Sequence, residues 1–257
     1  MRNIAKKIIS FLSKSELLYR FSKKIIDYHR NENNCEIETN GELDFIKKNK
    51  KEFKTIFDVG ANIGEWTRLA SGIMPEARIY SFEPSKNTFE ALLKENFSNK
   101  VSLYNIGLGE RNEIKDFFTH INNSTLNSVF SRDIKDDGSK QDARVEKVRF
   151  ETLNSFCMKN NIDDISFLKI DTEGNELSVL KGAEKYIKEG RIGAIQFEYG
   201  GTYIEAKILL KDVFKFFEDK PYNIFKIMRN GLKDCDTYTE DLENFQYANY
   251  AAILKNK

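Results

Sequence analysis

Ile56-Phe57-Asp58-Val59-Gly60-Ala61-Asn62-Ile63-Gly64 is the stretch whose reading decides the fold. Apolar residues flank one carboxylate, two glycines bracket a turn, and a helical pattern comes next. A buried strand thus runs into a tight turn and a helix. Gly60 lets a ligand approach the backbone, and Gly64 lets the helix start close to the sheet. Asn62 stands where many nucleotide-binding turns carry a second glycine, and asparagine tolerates left-handed backbone better than most residues. The dinucleotide fingerprint G-x-G-x-x-G is not met, which argues against a pyrophosphate seated here.

Outward from this turn, short apolar runs alternate with helical patterns. Thr55–Val59, Arg78–Phe82, Val101–Ile106, Ser166–Ile170 and Ala194–Phe197 read as buried strands. Segments 64–73, 86–97, 175–189 and 203–218 read as helices between them. Such alternation calls for an α/β fold, a mostly parallel sheet with helices on both faces. Phe225–Met228 and Tyr250–Leu254 are expected to close it as an antiparallel edge hairpin. Residues 113–153 break the rhythm, with Ile114–Phe118 and Val145–Phe150 as extra strands around a polar loop. The expected division is an N-terminal helical extension over 1–50 and one domain over 51–257, with 113–153 as an insertion.

Two further strand ends carry carboxylates. Tyr80-Ser81-Phe82-Glu83-Pro84 places Glu83 19 residues after Gly64, where it can accept both hydroxyls of a ribose. Pro84 then turns the chain away from the sheet. Leu168-Lys169-Ile170-Asp171-Thr172-Glu173-Gly174-Asn175-Glu176 opens a helix, with Glu176 in its first turn, where it favours the macrodipole. Ile195-Gln196-Phe197-Glu198 ends the next strand. On adjacent strands, about 4.8 Å apart, Asp171 and Glu198 would share a proton, raise one pKa or bind a hard cation such as Mg²⁺. Each outcome serves deprotonation of a hydroxyl; the other reading is a pair of acceptors holding loop amides. His120, beside Asn122-Asn123-Ser124-Thr125, is a further candidate base, or a surface histidine. Trp66 opens the first helix next to the turn, as cofactor wall or as helix anchor. Tyr199, Tyr203 and Tyr222 are candidates for an acceptor pocket.

Composition bounds the partners. The 257 residues carry 32 % charge with a net of only +1, which disfavours a nucleic-acid binder. No apolar run approaches the roughly 20 residues that span a bilayer, and Ile8–Leu12 is shorter than the about 7–15 residues of a secretory signal. Cys35, Cys157 and Cys235 form neither a disulfide framework nor a metal knuckle, so a reducing cytoplasm is expected. Residues 1–30 hold eight Lys and Arg against two Asp and Glu. Ile4, Ile8, Phe11 and Leu12, then Leu17, Leu18, Phe21 and Ile25, recur at helical spacing. Such a basic amphipathic element either touches a membrane surface peripherally or packs on the domain or on a second subunit of a homodimer. Asn31-Glu32-Asn33-Asn34 reads as a linker.

Taken with Leu180-Lys181-Gly182-Ala183, these motifs resemble the FkbM family of methyltransferases over roughly 144 residues, Thr55 to Glu198. The resemblance implies a Rossmann-like methyltransferase fold, S-adenosylmethionine as donor, and O-methylation, often of sugars or natural products. A cofactor without phosphate also suits the single-glycine turn. Asp58 would orient its amino-acid end, with Gly60, Asn62, Gly64, Glu83, Pro84 and Trp66 around it. Asp171, Glu198 and His120 would be the bases, or the first two the metal ligands. The expected acceptor is a hydroxyl of a sugar or nucleotide-linked sugar in polysaccharide or natural-product biosynthesis. Two rivals are a dinucleotide-dependent oxidoreductase on a similar fold and a non-catalytic cofactor-binding module.

Overall fold

The computed structural model describes residues 13–120, 124–131 and 144–255, with residues 6 and 10 and two strand fragments between 135 and 140. Ile4, Ile8, Phe11 and Leu12, and Asn122 and Asn123, lie outside them.

The strands in chain order are β1 (Thr55–Val59), β2 (Arg78–Phe82), β3 (Val101–Tyr104), β4 (Gly107–Leu108), β5 (Glu113–Thr119), β6 (Lys135–Asp136), β7 (Ser139–Lys140), β8 (Arg144–Glu151), β9 (Ile165–Ile170), β10 (Ile192–Tyr199), β11 (Tyr222–Met228), β12 (Gly231–Asp234) and β13 (Ala248–Leu254). The main sheet runs β3-β2-β1-β9-β10-β13-β11-β12. From β3 to β10 every pairing is parallel. Parallel strands covered on both faces need apolar residues at nearly every position, and β9 and β10 are buried almost throughout. One face packs Phe57, Leu168, Ile195 and Phe197 against helices Leu153–Lys159, Glu176–Gly182 and Leu210–Phe217. The other packs Ile56, Ile79 and Phe167 against helices Glu42–Asn49 and Glu65–Ile73. Phe53 stacks on Phe167 at 4.5 Å between ring centroids.

The edge corrects one expectation. Phe225–Met228 and Tyr250–Leu254 do pair antiparallel, but they are not a closing hairpin. β13 enters between β10 and β11, and β12 folds back on β11 to make the edge. Ala251 and Ala252 are fully buried, so both faces of β13 are covered, as for an interior strand. The expected helix over 203–218 is broken at Lys207, whose φ of 55° ends helix Thr202–Ala206. The insertion pairs β5 with β8 antiparallel and β8 with β4, giving a small second sheet.

Helix Glu16–Arg30 is capped by Ser15, whose side chain accepts from the Leu18 N–H. The segment after this helix is not a free linker. Asn31 and Asn33 turn the chain in left-handed backbone. The Asn31 amide donates to the carbonyls of Asn40 (2.6 Å) and Ile227 (3.0 Å). Glu32 accepts from Lys226 Nζ and Asn244 Nδ2, both at 2.9 Å. The polar run is a strap tied to β11 because its side chains replace water with backbone and ion-pair partners.

Candidate active site

At the carboxyl ends of β1, β2, β9 and β10 lies a crevice of about 840 Å³. Its floor is the Gly60 turn. The Gly60 and Ala61 N–H groups both donate to the Phe82 carbonyl at 3.0 Å. Gly60 has φ +88°, and a Cβ there would sit 1.8 Å from the Asp171 carbonyl oxygen. Asn62 adopts φ 48°, the left-handed conformation expected of it. Gly64, at φ +87°, begins the helix, with Leu92 and Phe97 packed where a side chain would go.

Glu83 turns under this loop, buried and not itself among the described lining residues, though Phe82 and Pro84 on either side of it are. Its Oε2 accepts from the Asn62 N–H (3.0 Å) and its Oε1 from the Ser85 N–H (2.9 Å). Burial raises its pKa to about 7 against the pull of those two bonds. Pro84 lines the crevice beside it. Trp66 also lines it, nearly buried, and its indole N–H meets no acceptor among the described residues.

Behind the wall runs a polar row of which sequence reasoning gave a role to Asp58 alone. Ser81, Asp58, Lys169 and Gln196 stand in register on four neighbouring strands, all buried. Thr67 Oγ1 donates to Asp58 Oδ2 at 2.6 Å. Lys169 Nζ lies 3.7 Å from Asp58 and 2.9 Å from Asp171 Oδ2, and 5.7 Å over the Trp66 ring. Burial opposes the lysine's charge, but Asp171, Asp58 and Glu42 outweigh it and hold its pKa above the ordinary value. Gln196 Nε2 donates to Glu42 Oε2 at 2.5 Å, and Asn249 Nδ2 to Glu42 Oε1 at 2.9 Å. Asp58 is therefore fully buried and stands behind the crevice rather than in its lining. Alternation in the strand was the available signal: with Leu168 and Ile170 in one core, Lys169 had to enter the other.

Asp171, Glu173 and Glu198 come together at the rim, each offering an oxygen within 4.8 Å of the others'. Burial raises the Glu198 pKa well above the carboxylate range, and Asp171, hydrogen-bonded to it, adds to the rise. Tyr203 hydroxyl donates to the Glu198 carbonyl at 3.0 Å and fixes the strand end. Glu176 is buried beneath, accepting from Thr172 N–H (2.8 Å), Thr172 Oγ1 (2.9 Å) and Gly174 N–H (3.0 Å). It clamps the turn that presents Asp171.

Other candidates fall elsewhere. His120 is buried, its N–H donating to Asn127 Oδ1, and it is not among the described lining residues. Tyr199, Tyr203 and Tyr222 are core residues instead of pocket walls, because each hydroxyl finds an internal acceptor: Glu243, the Glu198 carbonyl and the Ile192 carbonyl. Tyr247 lines the crevice in their place. The strap also reaches it, through Cys35, Glu36, Ile37 and Glu38.

The lining is acidic. Glu36, Glu38 and Glu42 come from the N-terminal segment, Glu65 from the first helix after the turn, and Asp171, Glu173 and Glu198 from the strand ends. Arg68 and Lys169 oppose them, and Arg68 is itself paired with Glu95 at 2.5 Å. Such a field favours a cationic ligand. The glycine floor, the orphan indole donor and this charge fit a sulfonium-bearing cofactor.

Sheet order and a crevice at the strand ends define a Rossmann-like α/β fold. The chain belongs to the methyltransferase FkbM domain family, whose model matches residues 58–235. Methyltransferase 1 of Beauveria bassiana (strain ARSEF 2860) is 29 % identical over 149 residues, 50 % of this chain and 58 % of that protein. Among solved structures, methyltransferase FkbM from Methylobacillus flagellatus KT superposes with TM-score 0.47 and 20 % identity, covering 78 % of this chain and 44 % of that one. The plantazolicin methyltransferase BpumL in complex with SAH gives TM-score 0.45 and 11 % identity, covering 91 % of each chain. The matches to the first two thus span less than two thirds of those proteins.

Proposed function

We propose that this chain is an S-adenosylmethionine-dependent O-methyltransferase acting on a sugar hydroxyl. The observation that carries the reading is the Asp171–Glu198 pair, held at the rim of the crevice above the Gly60 turn. When bound, the cofactor supplies a methyl carbon activated by a positive sulfonium. The chain's own task is then to orient a hydroxyl, exclude water and take one proton.

The Gly60–Asn62 turn would back the cofactor. Each Glu83 oxygen holds one backbone N–H and keeps a lone pair for a ribose hydroxyl. Pro84 walls the ribose, and Trp66 offers its indole N–H. Asp58 acts from behind, by holding Lys169 and Thr67 in place. Glu198, sharing a proton with Asp171, is the base for the acceptor hydroxyl once that proton has left. His120 stays outside this route: it is buried, with its backbone N–H on Asn127, and neither it nor a chain neighbour is among the described lining residues. Lys169 already sits on Asp171, so proton sharing is favoured over Mg²⁺ held by Asp171 and Glu198. The acidic lining also favours an uncharged sugar over one that carries a diphosphate.

The test is incubation with S-adenosylmethionine and a panel of neutral glycans, nucleotide sugars, phenols and peptides, read as the mass gain of one methylene. Gain on a glycan supports the reading. Gain only on phenols or peptides overturns the sugar and leaves methyl transfer. Cofactor binding without turnover on any acceptor favours a binding module.

A further inference from the structure

Helix Glu16–Arg30 sits the wrong way round for an ordinary surface helix, which turns its apolar stripe inward. Its polar side faces the domain: Lys23 Nζ donates to Gln246 Oε1 at 3.3 Å, and Arg30 forks onto both oxygens of Asp241 at 2.9 and 2.7 Å. At about 100° per residue, Leu17, Phe21 and Ile25 fall on one exposed stripe with Leu18 at its margin, and Tyr28 ends the stripe against Arg229. No residue of the helix is buried. Leu17 is 78 % exposed, Phe21 61 % and Ile25 53 %.

A second observation stands at the end of that stripe. Between the helix and the turn joining β11 to β12 opens a cavity of about 710 Å³, lined by Lys24, Ile25, Tyr28, His29 and Arg229 among others, with no carboxylate among the described lining residues. The Arg229 guanidinium is fixed there, 3.7 Å over the Tyr28 ring with its Nε donating to Asn31 Oδ1 at 3.0 Å. The apolar stripe and the cationic cavity share Ile25 and Tyr28, so one occupant meets both.

Charge selects that occupant. Residues 1–30 carry a net +6 on a chain whose total is +1, so the remainder carries −5. A second copy laid on the same face would meet like charge, since helix Glu16–Arg30 carries four Lys and Arg against Glu16 and Asp27. No helix among the described residues is long and apolar enough to cross a membrane. We propose that the helix lies flat in the interface of an anionic phospholipid bilayer. Phe21 and Ile25 enter the acyl boundary, and the Lys24–His29–Arg229 cavity takes a phosphate-bearing headgroup.

Flotation of the full chain with phosphatidylcholine vesicles, with and without phosphatidylglycerol, tests this. Binding should rise about tenfold or more with phosphatidylglycerol and fall with added salt. Phe21→Glu with Ile25→Glu should lower it about tenfold or more; both side chains are exposed, so the melting temperature should not move. Lys24→Glu should weaken binding to the anionic vesicles alone. The proposal is overturned if phosphatidylglycerol adds nothing, or if the Phe21/Ile25 variant floats as well as the parent. It is equally overturned if the parent does not float and sediments as a dimer that this variant splits, since a second copy would then cover the face.

Discussion

The α-carbon of Gly60 lies against the carbonyl of Asp171 so closely that a Cβ would stand 1.8 Å from its oxygen. Two strand ends, β1 and β9, are thereby locked together at the floor of the crevice. Gly60→Ala must move backbone and strain a φ of +88°, at a cost on the order of 3 kcal/mol. The urea midpoint should drop accordingly. An unchanged midpoint with unchanged cofactor affinity would show that the contact is not what fixes the floor.

Glu83 gives a pH signature. Its folded pKa, about 7, exceeds the ordinary carboxylate value because it is buried. The folded chain therefore holds a proton that the unfolded chain releases, so stability falls as pH rises from about 4.5 to about 7. Ribose hydroxyls prefer the ionised form as acceptor, so cofactor binding should release protons near pH 7 and tighten as pH rises through it. Calorimetry in two buffers of different ionisation enthalpy measures this. Glu83→Gln should abolish the proton release and weaken binding about 10–100-fold.

Glu198→Gln should leave cofactor affinity nearly unchanged and reduce turnover by about 10²–10⁴. In the parent chain the rate should climb with pH beyond the ordinary carboxylate range, since burial and Asp171 keep Glu198 protonated below it. A variant with parental turnover would remove Glu198 from the proton route.

Chelation separates the two readings of the acidic cluster. With Lys169 Nζ at 2.9 Å from Asp171, EDTA should leave methyl transfer intact. Loss on chelation and recovery with Mg²⁺ would restore the metal reading.

Lys226 and Glu32 are each 5 % exposed and paired at 2.9 Å. Lys226→Met strands a buried carboxylate and should cost about 3–5 kcal/mol in chemical denaturation. Adding Glu32→Gln should recover part of that loss, as a coupled pair requires.

The parts legible in sequence were those where one local pattern carries one outcome. The strands Thr55–Val59 and Arg78–Phe82 fall where their apolar runs put them, and Asn62 takes the backbone its side chain tolerates. The carboxylates of Asp171 and Glu198 meet because neighbouring parallel strands end together. What escaped depends on distant partners. Asn31, Glu32 and Glu42 look solvated in sequence and are buried only because Ile227, Lys226 and Gln196 receive them. The expected helix over 175–189 breaks at Ala183, directly after Gly182, and the close approach of Gly182 to the Gly109 carbonyl depends on a partner far away in the chain.

The strap sets an order of assembly. Glu32 leaves the ribosome well before its ion-pair partner, which is 194 residues downstream. Until β11 and the Asn244 loop have been synthesised, the Glu32 carboxylate lacks Lys226 and Asn244, and the Asn31 amide lacks the Ile227 carbonyl. Cys35 to Glu38, which wall the crevice, continue from the same strap. A nascent chain can pair β1, β2, β9 and β10 before that wall exists, so the ligand site is completed only after β11 and the Asn244 loop have emerged.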